Sequence, residues 1–445
     1  MSRLVGMIII LGALLAGLVG LSYLFYLAAG GLAWVFATKL GAPPAWGAAI
    51  ANLLTLMLVV LMITGSLLSV AERKWSALIQ NRIGANRIRV FGSALGGIPF
   101  LVADAVKMLT KERFTPALRT KFLFDLAPVL SFAPIFALFA IVPIGPEVPL
   151  RAIVGADGAL GHVAVALQVA APDAGLLYLF AISSLAVYGT SLAGWSSNNK
   201  LALLGGVRAS SQMISYEVSL GLSLVGAMLA FRTLRLEEMV LAQGQSVLGP
   251  VPALGILLQP IGFLVFFASA FAETKRAPFD LPEGESEIVG YFLEYSGMQF
   301  GLMFLSEFVE IVILSAVVAA VFLGGWHPIF FEGWLRANLT PLAFAAIAGG
   351  VFFAKMIVVI WLQMVIRWLL PRFRYDQIQQ LCWKILLPVS LVNVFVTAAV
   401  VLIDPSLQLL TWIGIATLVA IATITAAASR APSQEEHGAH AVAGH

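Results

Sequence analysis

The chain has 445 residues, of which 60% are hydrophobic and only 11% are charged, and its formal net charge is +3. Soluble domains carry about 25% charged residues, so this composition indicates a protein that crosses the membrane several times. A single cysteine, Cys382, excludes an intrachain disulfide, a cysteine zinc site and a cysteine-ligated iron–sulfur cluster. The sequence also lacks a dinucleotide-binding glycine fingerprint and a phosphate-binding loop, so we expect no redox cofactor bound by this chain.

Ten apolar segments are long enough to cross a bilayer, which takes about 20 helical residues. An all-α polytopic membrane protein is therefore the predicted fold. A further helix is predicted at 95–112, where Leu101, Ala105 and Met108 recur at helical spacing and the intervening polar residues share the other face, as in amphipathic helices of the membrane interface. The predicted spans are 5–37, 47–71, 122–142, 175–194, 209–231, 251–272, 300–323, 341–367, 384–403 and 408–428.

The lysines and arginines are distributed unequally between the two ends of these spans. Of the 26, 20 fall on the side that holds the N-terminus, five fall on the other side, and Lys355 lies within a span. Cytoplasmic loops are enriched in Lys and Arg, so the first side is predicted to be cytoplasmic, with both termini on it. Residues 430–445 are polar and rich in small residues, which predicts a disordered tail.

An acidic segment at 273–294 separates two of the predicted spans. Six of the chain's 23 acidic residues fall within these 22 positions. Charge is costly near hydrocarbon, so a dense acidic loop between spans indicates a functional site. Pro278, Phe279 and Pro282 favour a loop that folds inward, and the alternative is a solvated surface loop. The six acids are Glu273, Asp280, Glu283, Glu285, Glu287 and Glu294.

Two further polar groups are predicted on the cytoplasmic side. Glu72 and Arg73 directly follow the second span, where basic residues alone would be read as lipid anchors but an acid is poorly explained. Asp104 and Lys107 are three positions apart in the amphipathic helix, so they are expected to form an ion pair. On the protein surface such a pair would contribute little to stability, but beside a cavity it would influence the charges around it.

Acidic residues are also predicted inside the membrane. Glu217 lies about two turns inside the fifth span, and Glu307 and Glu310 share one face of the seventh. Lys355 in the eighth span is the predicted ion partner of this last pair. Intramembrane Glu and Lys residues commonly form proton relays, so these side chains are predicted to belong to a buried proton path.

Several sequence blocks together resemble one family. They are AERK at 71–74, QNRIGANR at 80–87, ADAVKMLTKE at 103–112, RASSQMISYEV at 208–218 and, as the most specific, RAPFDLPEGESE at 276–287. This combination resembles the quinone-chamber membrane subunit of proton-pumping NADH:quinone oxidoreductase, respiratory complex I. The resemblance implies a membrane core at 47–403, an extra N-terminal helix and linker at 1–46 and an extra C-terminal helix at 404–429.

The resemblance also implies a role for each group of charged residues. Quinone would be the substrate, entering a narrow tunnel toward an iron–sulfur cluster of a neighbouring subunit. The proton path would be formed by Glu217, Glu273, Glu294, Glu307, Lys355 and Glu310, the last of which is additional to the family pattern. The tunnel residues would be Glu72, Arg73, Asp104, Lys107, Arg276, Asp280, Glu283, Glu285 and Glu287.

Partners and location follow from the same resemblance. The chain would hold no complete catalytic site of its own and would work within the respiratory enzyme of a bacterial cytoplasmic membrane. Its partners would be hydrophilic iron–sulfur and quinone-site subunits on the cytoplasmic side, small and antiporter-like membrane subunits, and lipid, with no nucleic acid.

The sequence departs from the family pattern at Ala85, where the family usually has proline. The nearby turn is therefore expected to be less rigid.

Two alternatives stay open on sequence grounds. The first is the membrane anchor of an energy-converting hydrogenase, a related scaffold that departs from the EGESE pattern kept here at 283–287. The second is an independent secondary transporter, which would need a substrate site near the midplane of the membrane. The charges of this chain gather near one face instead, which favours the oxidoreductase subunit.

Overall fold

The computed structural model describes residues 2–88, 95–249, 251–282, 284 and 290–430. Within these ranges nine helical segments are long and apolar enough to cross a membrane, which confirms the predicted all-α polytopic fold. Two of the nine are continuous helices that contain a π-helical stretch. The spans are α1 (Ser2–Lys39), α2 (Pro44–Asn52) with α3 (Met62–Ile79), α5 (Lys121–Phe139), α7 (Gly175–Ser196), α8 (Lys200–Phe231), α12 (Gly297–Phe322), α14 (Pro341–Leu369), α15 (Tyr375–Gln380) with α16 (Leu387–Ile403), and α17 (Gln408–Arg430).

Shorter elements connect the spans. Two small antiparallel hairpins are formed, one by β1 (Val148–Pro149) and β2 (Ala164–Val165), the other by β3 (Ser246–Leu248) and β4 (Val251–Pro252). The amphipathic helix predicted at 95–112 is present as α4 (Ile98–Thr110). The other short helices are α6 (Leu150–Val154), α9 (Leu236–Gln243), α10 (Gly255–Leu258), α11 (Pro260–Glu273) and α13 (Glu332–Asn338).

The helix α12 forms the centre of the bundle. Every residue from Ser306 to Phe322 is buried, as expected for a helix that is apolar on all sides. It packs against α3, α4, α5, α11 and α14, so a polar side chain on α12 necessarily faces other helices. Glu307 and Glu310 lie at the start of this buried stretch, so both acids face other helices of the bundle.

The predicted span at 251–272 is not a single long helix in the structure. It is divided at Gln259 (φ −135°, ψ 60°) into α10 and the 14-residue α11. Pro260 explains the break, because proline disfavours helical geometry in the residue before it and lacks an N–H. The buried Gln259 amide donates to Thr397 Oγ1 (2.8 Å) and accepts from Asn393 Nδ2 (2.7 Å), so helices α11 and α16 are held together at the break.

Both terminal helices pack closely on the bundle. On α14, Gly349 and Gly350 lie directly against Ser22 and Val19 of α1, so that any side chain at these positions would collide. On α17, Gly414 likewise packs onto the carbonyl of Leu257 in α10. Small residues that let helix backbones approach are typical of helix contacts in membranes. Residues 431–445 of the predicted tail lie outside the described residues.

Candidate functional site

A cluster of four charged side chains lies where α3, α11, α12 and α14 meet. Arg276 Nη1 lies 3.2 Å from Glu72 Oε2, and Arg276 Nη2 lies 3.6 Å from Glu307 Oε2. Arg367, near the end of α14, forms an ion pair with the same Glu72 carboxylate. The Tyr291 hydroxyl donates to Glu307 Oε1 (3.1 Å). We call these four charges the arginine cluster: two carboxylates matched by two guanidinium groups.

The turn after α11 directs Arg276 into this cluster. Helix α11 ends when the Thr274 N–H bonds back to the Ala270 carbonyl, and the next residue, Lys275, adopts a left-handed conformation (φ 55°). The chain then reverses, and the Arg276 guanidinium lies 4.0 Å from the ring centroid of Phe308 on α12. A cation over an aromatic face is attracted by the ring, more strongly when water is excluded. Phe308 and the two carboxylates therefore fix Arg276 from three sides.

A second ionic group joins α3 to the amphipathic helix α4. Arg73 Nη1 lies 3.1 Å from Asp104 Oδ2, and Lys107 Nζ lies 3.9 Å from Asp104 Oδ1. The i,i+3 pair expected from the sequence is thus present, and Arg73 is its additional partner. Asp104 is about one-third exposed, whereas both bases are more open, so screening by water keeps each pair weak on its own.

An apolar cavity of about 190 Å³ lies between α3, α4 and α12. Among the described residues Asp104 contributes the one carboxylate of the lining, and Phe304 and Phe308 contribute aromatic rings. The Arg276 guanidinium lies over the same two rings, at 5.9 and 4.0 Å from their centroids. Phe304 and Phe308 are therefore shared by the cavity and the arginine cluster. Concave apolar sites with a few polar groups are the usual form of small-molecule sites.

Asp280 lies within the acidic segment and contacts the loop after α14. Arg372 Nη2 donates to Asp280 Oδ2 at 2.6 Å. Burial raises the pKa of Asp280 to about 6, although the charge and hydrogen bond of Arg372 oppose this shift. The Asp280 carboxyl therefore changes its protonation state at mildly acidic pH.

Removing Arg372 should raise the pKa of Asp280 further. An Arg372→Met change takes away the cation that favours the ionised carboxylate, so the midpoint of Asp280 is expected to rise above about 6. The measurement is a pH titration of the protonated-carboxyl infrared band, with Asp280→Asn subtracted to isolate this one group. An unchanged or lowered midpoint would show that Arg372 does not set the charge of Asp280.

A third group lies deeper and consists of Lys275, Glu273 and Glu310, all at most 6% exposed. The charges that act on Glu273 are those of Glu310, Glu217 and Lys275. Glu217, on α8, is half-buried and lies beside Ser183 of α7. Lys275 also acts electrostatically on Glu310.

Two predicted residues lie apart from these groups. Glu294 Oε1 accepts from Asn199 Nδ2 (2.6 Å) near the start of α8. Lys355 is not the ion partner of Glu307 or Glu310. Its ammonium donates to the carbonyls of Gly325 (2.8 Å) and His327 (2.9 Å), just beyond the other end of α12. Unpaired carbonyls follow a helix C-terminus and attract cations there, which explains this placement. Glu283, Glu285 and Glu287 lie outside the described residues.

Comparison with known proteins identifies the family. A family model described as NADH dehydrogenase matches residues 51–398, most of the chain. The chain belongs to the NADH dehydrogenase family. Helices α1 and α17 lie outside the matched range.

Relatives in this NADH dehydrogenase family match most of this chain and nearly all of their own length. A protein of Syntrophobacter fumaroxidans, named as an H-type subunit of NADH-quinone oxidoreductase, is 42% identical over 78% of this chain and 95% of its own length. A Geobacter metallireducens protein named in the same way is 41% identical over 79% of this chain and 95% of its own length. A third protein with this name, from Cytophaga hutchinsonii, is 39% identical over 75% of this chain and 91% of its own length.

Four residues of these groups were not predicted as site residues. Arg367 and Arg372 follow a long apolar span, where basic residues usually anchor a helix end, so the sequence alone gave no reason to separate them from such anchors. Tyr291 offered no signal beyond its place in the acidic segment. Lys275 did carry one, because it stands beside Arg276 among acids between two apolar segments.

Proposed function

We propose that this member of the NADH dehydrogenase family is the membrane subunit of a proton-pumping NADH:quinone oxidoreductase. It forms much of the quinone tunnel and couples quinone reduction to proton translocation. The observation that carries the proposal is the apolar cavity between α3, α4 and α12, because two of its lining rings, Phe304 and Phe308, also contact the buried, paired Arg276. The names of the relatives support quinone as the substrate.

The cavity suits a slender apolar substrate. Its 190 Å³ is below the ~300 Å³ at which pockets for drug-sized ligands begin, as expected for a narrow passage rather than a closed pocket. Asp104, which pairs with Arg73 and Lys107, supplies charge to the lining, and Phe304 and Phe308 supply apolar surface. The proposed tunnel residues are Glu72, Arg73, Asp104, Lys107, Arg276, Asp280, Glu283, Glu285 and Glu287.

The buried acids provide the coupling. Reduction of a quinone to a hydroquinone takes up two protons, so charges beside the tunnel respond to each turnover, and interacting carboxyl groups titrate as a unit. Arg276 of the arginine cluster lies over Phe304 and Phe308, which line the cavity, so the cluster is close enough to respond to a change of charge there. Such a charge change can bias an element that has two arrangements. The proposed path comprises Glu217, Glu273, Glu294, Glu307 and Glu310, while Lys355 would act at the far end of α12.

The cytoplasmic face would receive the hydrophilic partners. A wide cleft of about 620 Å³ beside α3 is lined by Arg73, Arg82, Arg87 and Arg367. Ion pairs bring the end of α3 and the end of α14 to the turn after α11, as expected if all three loops lie on one side of a bacterial cytoplasmic membrane. Iron–sulfur and quinone-site subunits would dock there, with antiporter-like subunits beside the chain in the membrane.

Purification of the tagged chain from gently solubilised membranes tests this proposal. We expect a complex that contains a flavin-bearing NADH-oxidising module and antiporter-like subunits, and that reduces quinone with NADH. A nickel–iron subunit in their place would assign the chain to the hydrogenase branch. A single stable chain that transports an ion by itself would contradict the proposal altogether.

A further inference from the structure

A second apolar cavity, of about 290 Å³, lies between α16, α17 and the break that separates α10 from α11. It shares no lining residue with the cavity between α3, α4 and α12. One of its walls is α17, which lies outside the residues 51–398 that the family model matches. The proposed quinone tunnel therefore does not account for this cavity.

The polar side chains that line the cavity are hydrogen-bonded within the protein. Gln259 donates to Thr397 (2.8 Å) and accepts from Asn393 (2.7 Å), and Thr397 donates in turn to the Asn393 carbonyl (2.7 Å). Thr417, the remaining polar residue of the lining, donates to the Ile413 carbonyl (2.8 Å). Water is held in cavities by unsatisfied polar groups, whereas apolar cavities stay dry. The cavity therefore suits an apolar occupant.

The helix α17 is packed on the bundle by its first half alone. Leu410, Thr411 and Gly414 are buried, whereas no residue from 415 to 427 is buried. Only the four residues 404–407 join α16 to α17, so the two helices run antiparallel. The loosely packed second half of α17 therefore lies beside the first half of α16, and the cavity is the space that remains between them.

Exposed apolar side chains of α16 extend the cavity toward the start of that helix. Val389, Val392 and Val396 line it and are 39%, 61% and 47% exposed within this chain. On α16 the lining runs from Pro388 to Thr397, which at a rise of 1.5 Å per residue is a length of roughly 14 Å. A long apolar space that opens between two spans has the form that a lipid acyl chain fills.

A basic residue lies at the open end of the cavity. Lys384 precedes Pro388 by one turn, and positions 384, 388, 392 and 396 follow the four-residue spacing of one helix face. Lys384 is exposed and forms no ion pair with a described acid. Because lipid tails are as apolar as the lining, an acyl chain gains little by leaving the bilayer for the cavity. Selection of a lipid therefore depends on its headgroup, and a lysine at the membrane surface attracts an anionic one.

We propose that this cavity binds one acyl chain of an anionic phospholipid, with the lipid phosphate at Lys384. An empty cavity would leave its lining without van der Waals partners, and the acyl chain supplies them. The bound lipid thereby completes the packing of α17 on the bundle. The site consists of residues outside the proposed quinone tunnel and proton path, so it is independent of the proposed function.

Photolabelling of the tagged chain with its partners, in nanodiscs of phosphatidylcholine, tests this site. The probe is a phosphatidylglycerol that carries a diazirine in one acyl chain. We expect labelled peptides from α16 and α17, around Val392 and Ile413, and protection by excess unlabelled phosphatidylglycerol. A phosphatidylcholine with the same diazirine should label them about fivefold less. Equal labelling by the two lipids, labelling confined to other helices, or protection by quinone would overturn the proposal.

Variants of the two halves of the site give a second test. Val392→Trp should abolish the label, because its indole occupies the cavity from an exposed position without displacing core packing. Leu391→Trp is the matched control, since Leu391 is also exposed but does not line the cavity, and it should label fully. Lys384→Met should lower phosphatidylglycerol labelling about fivefold, whereas Lys384→Arg and the exposed Lys200→Met should not change it. Unaltered labelling in Val392→Trp or in Lys384→Met would contradict the proposal.

Discussion

Replacement of Arg276 by methionine is expected to lower NADH:quinone reduction about a hundredfold, while reduction of an artificial acceptor by NADH stays unchanged. The substitution leaves Glu72 and Glu307 with one guanidinium between them. Breaking a buried ion pair by removing one partner costs about 3–5 kcal/mol, and each 1.4 kcal/mol corresponds to about a factor of ten. Arg276 also loses its position over Phe308, which forms the wall of the cavity. Both rates are measured on the same purified complex.

Arg113 provides the matched control. It pairs with Asp125, but both side chains are about half exposed, so Arg113→Met should alter the rate by less than about fivefold, as for an ion pair worth at most ~1 kcal/mol. Arg276→Lys should retain part of the activity. Lysine keeps the positive charge but lacks the planar guanidinium, whose two nitrogens reach Glu72 and Glu307. An assembled Arg276→Met complex with unaltered quinone reduction would refute the role given to the arginine cluster.

Enlargement of Ala105 tests the cavity itself. Ala105 lies on α4 and lines the cavity, so Ala105→Phe is expected to place a ring in the path of the substrate and to lower kcat/KM for quinone more than about tenfold. None of the side chains of α4 is buried within this chain, so the larger side chain displaces no core packing. The rate with an artificial acceptor reports the integrity of the NADH-oxidising module and should not change.

Val102 is the corresponding control on the same helix. Its side chain is exposed and does not line the cavity, so Val102→Phe adds the same volume outside the proposed path. Equal loss of quinone reduction in both variants would indicate a general disturbance of α4. Normal activity in Ala105→Phe would show that quinone does not pass between α3, α4 and α12.

Local patterns in the sequence were sufficient to predict much of the fold. Long apolar runs predicted the spans, and the spacing of apolar residues predicted α4. Asp104 and Lys107 were expected to pair because three positions along a helix bring side chains to one face. The break at Gln259 was also encoded locally, by Pro260, but the apolar composition of 251–272 concealed it.

Contacts between distant segments could not be predicted in this way. Glu72 and Arg276 are 204 positions apart, and no periodicity indicates that they meet. The same limit explains the wrong partner assigned to Glu310. Lys355 was the one cation within a span, but its ammonium donates to the Gly325 and His327 carbonyls beyond α12. Which distant group a buried lysine reaches depends on tertiary packing and leaves little trace in the sequence.

Photolabelling of the intact complex with a quinone analogue that carries a light-activated group on its ring tests the central claim most directly. The account predicts that labelled peptides derive from α3, α4 and α12, around Ser66, Asp104 and Phe304, and that excess quinone prevents the labelling. The Ala105→Phe complex should lose this label. Quinone-protected labelling confined to other helices or to other subunits would contradict the proposal that this cavity receives the quinone.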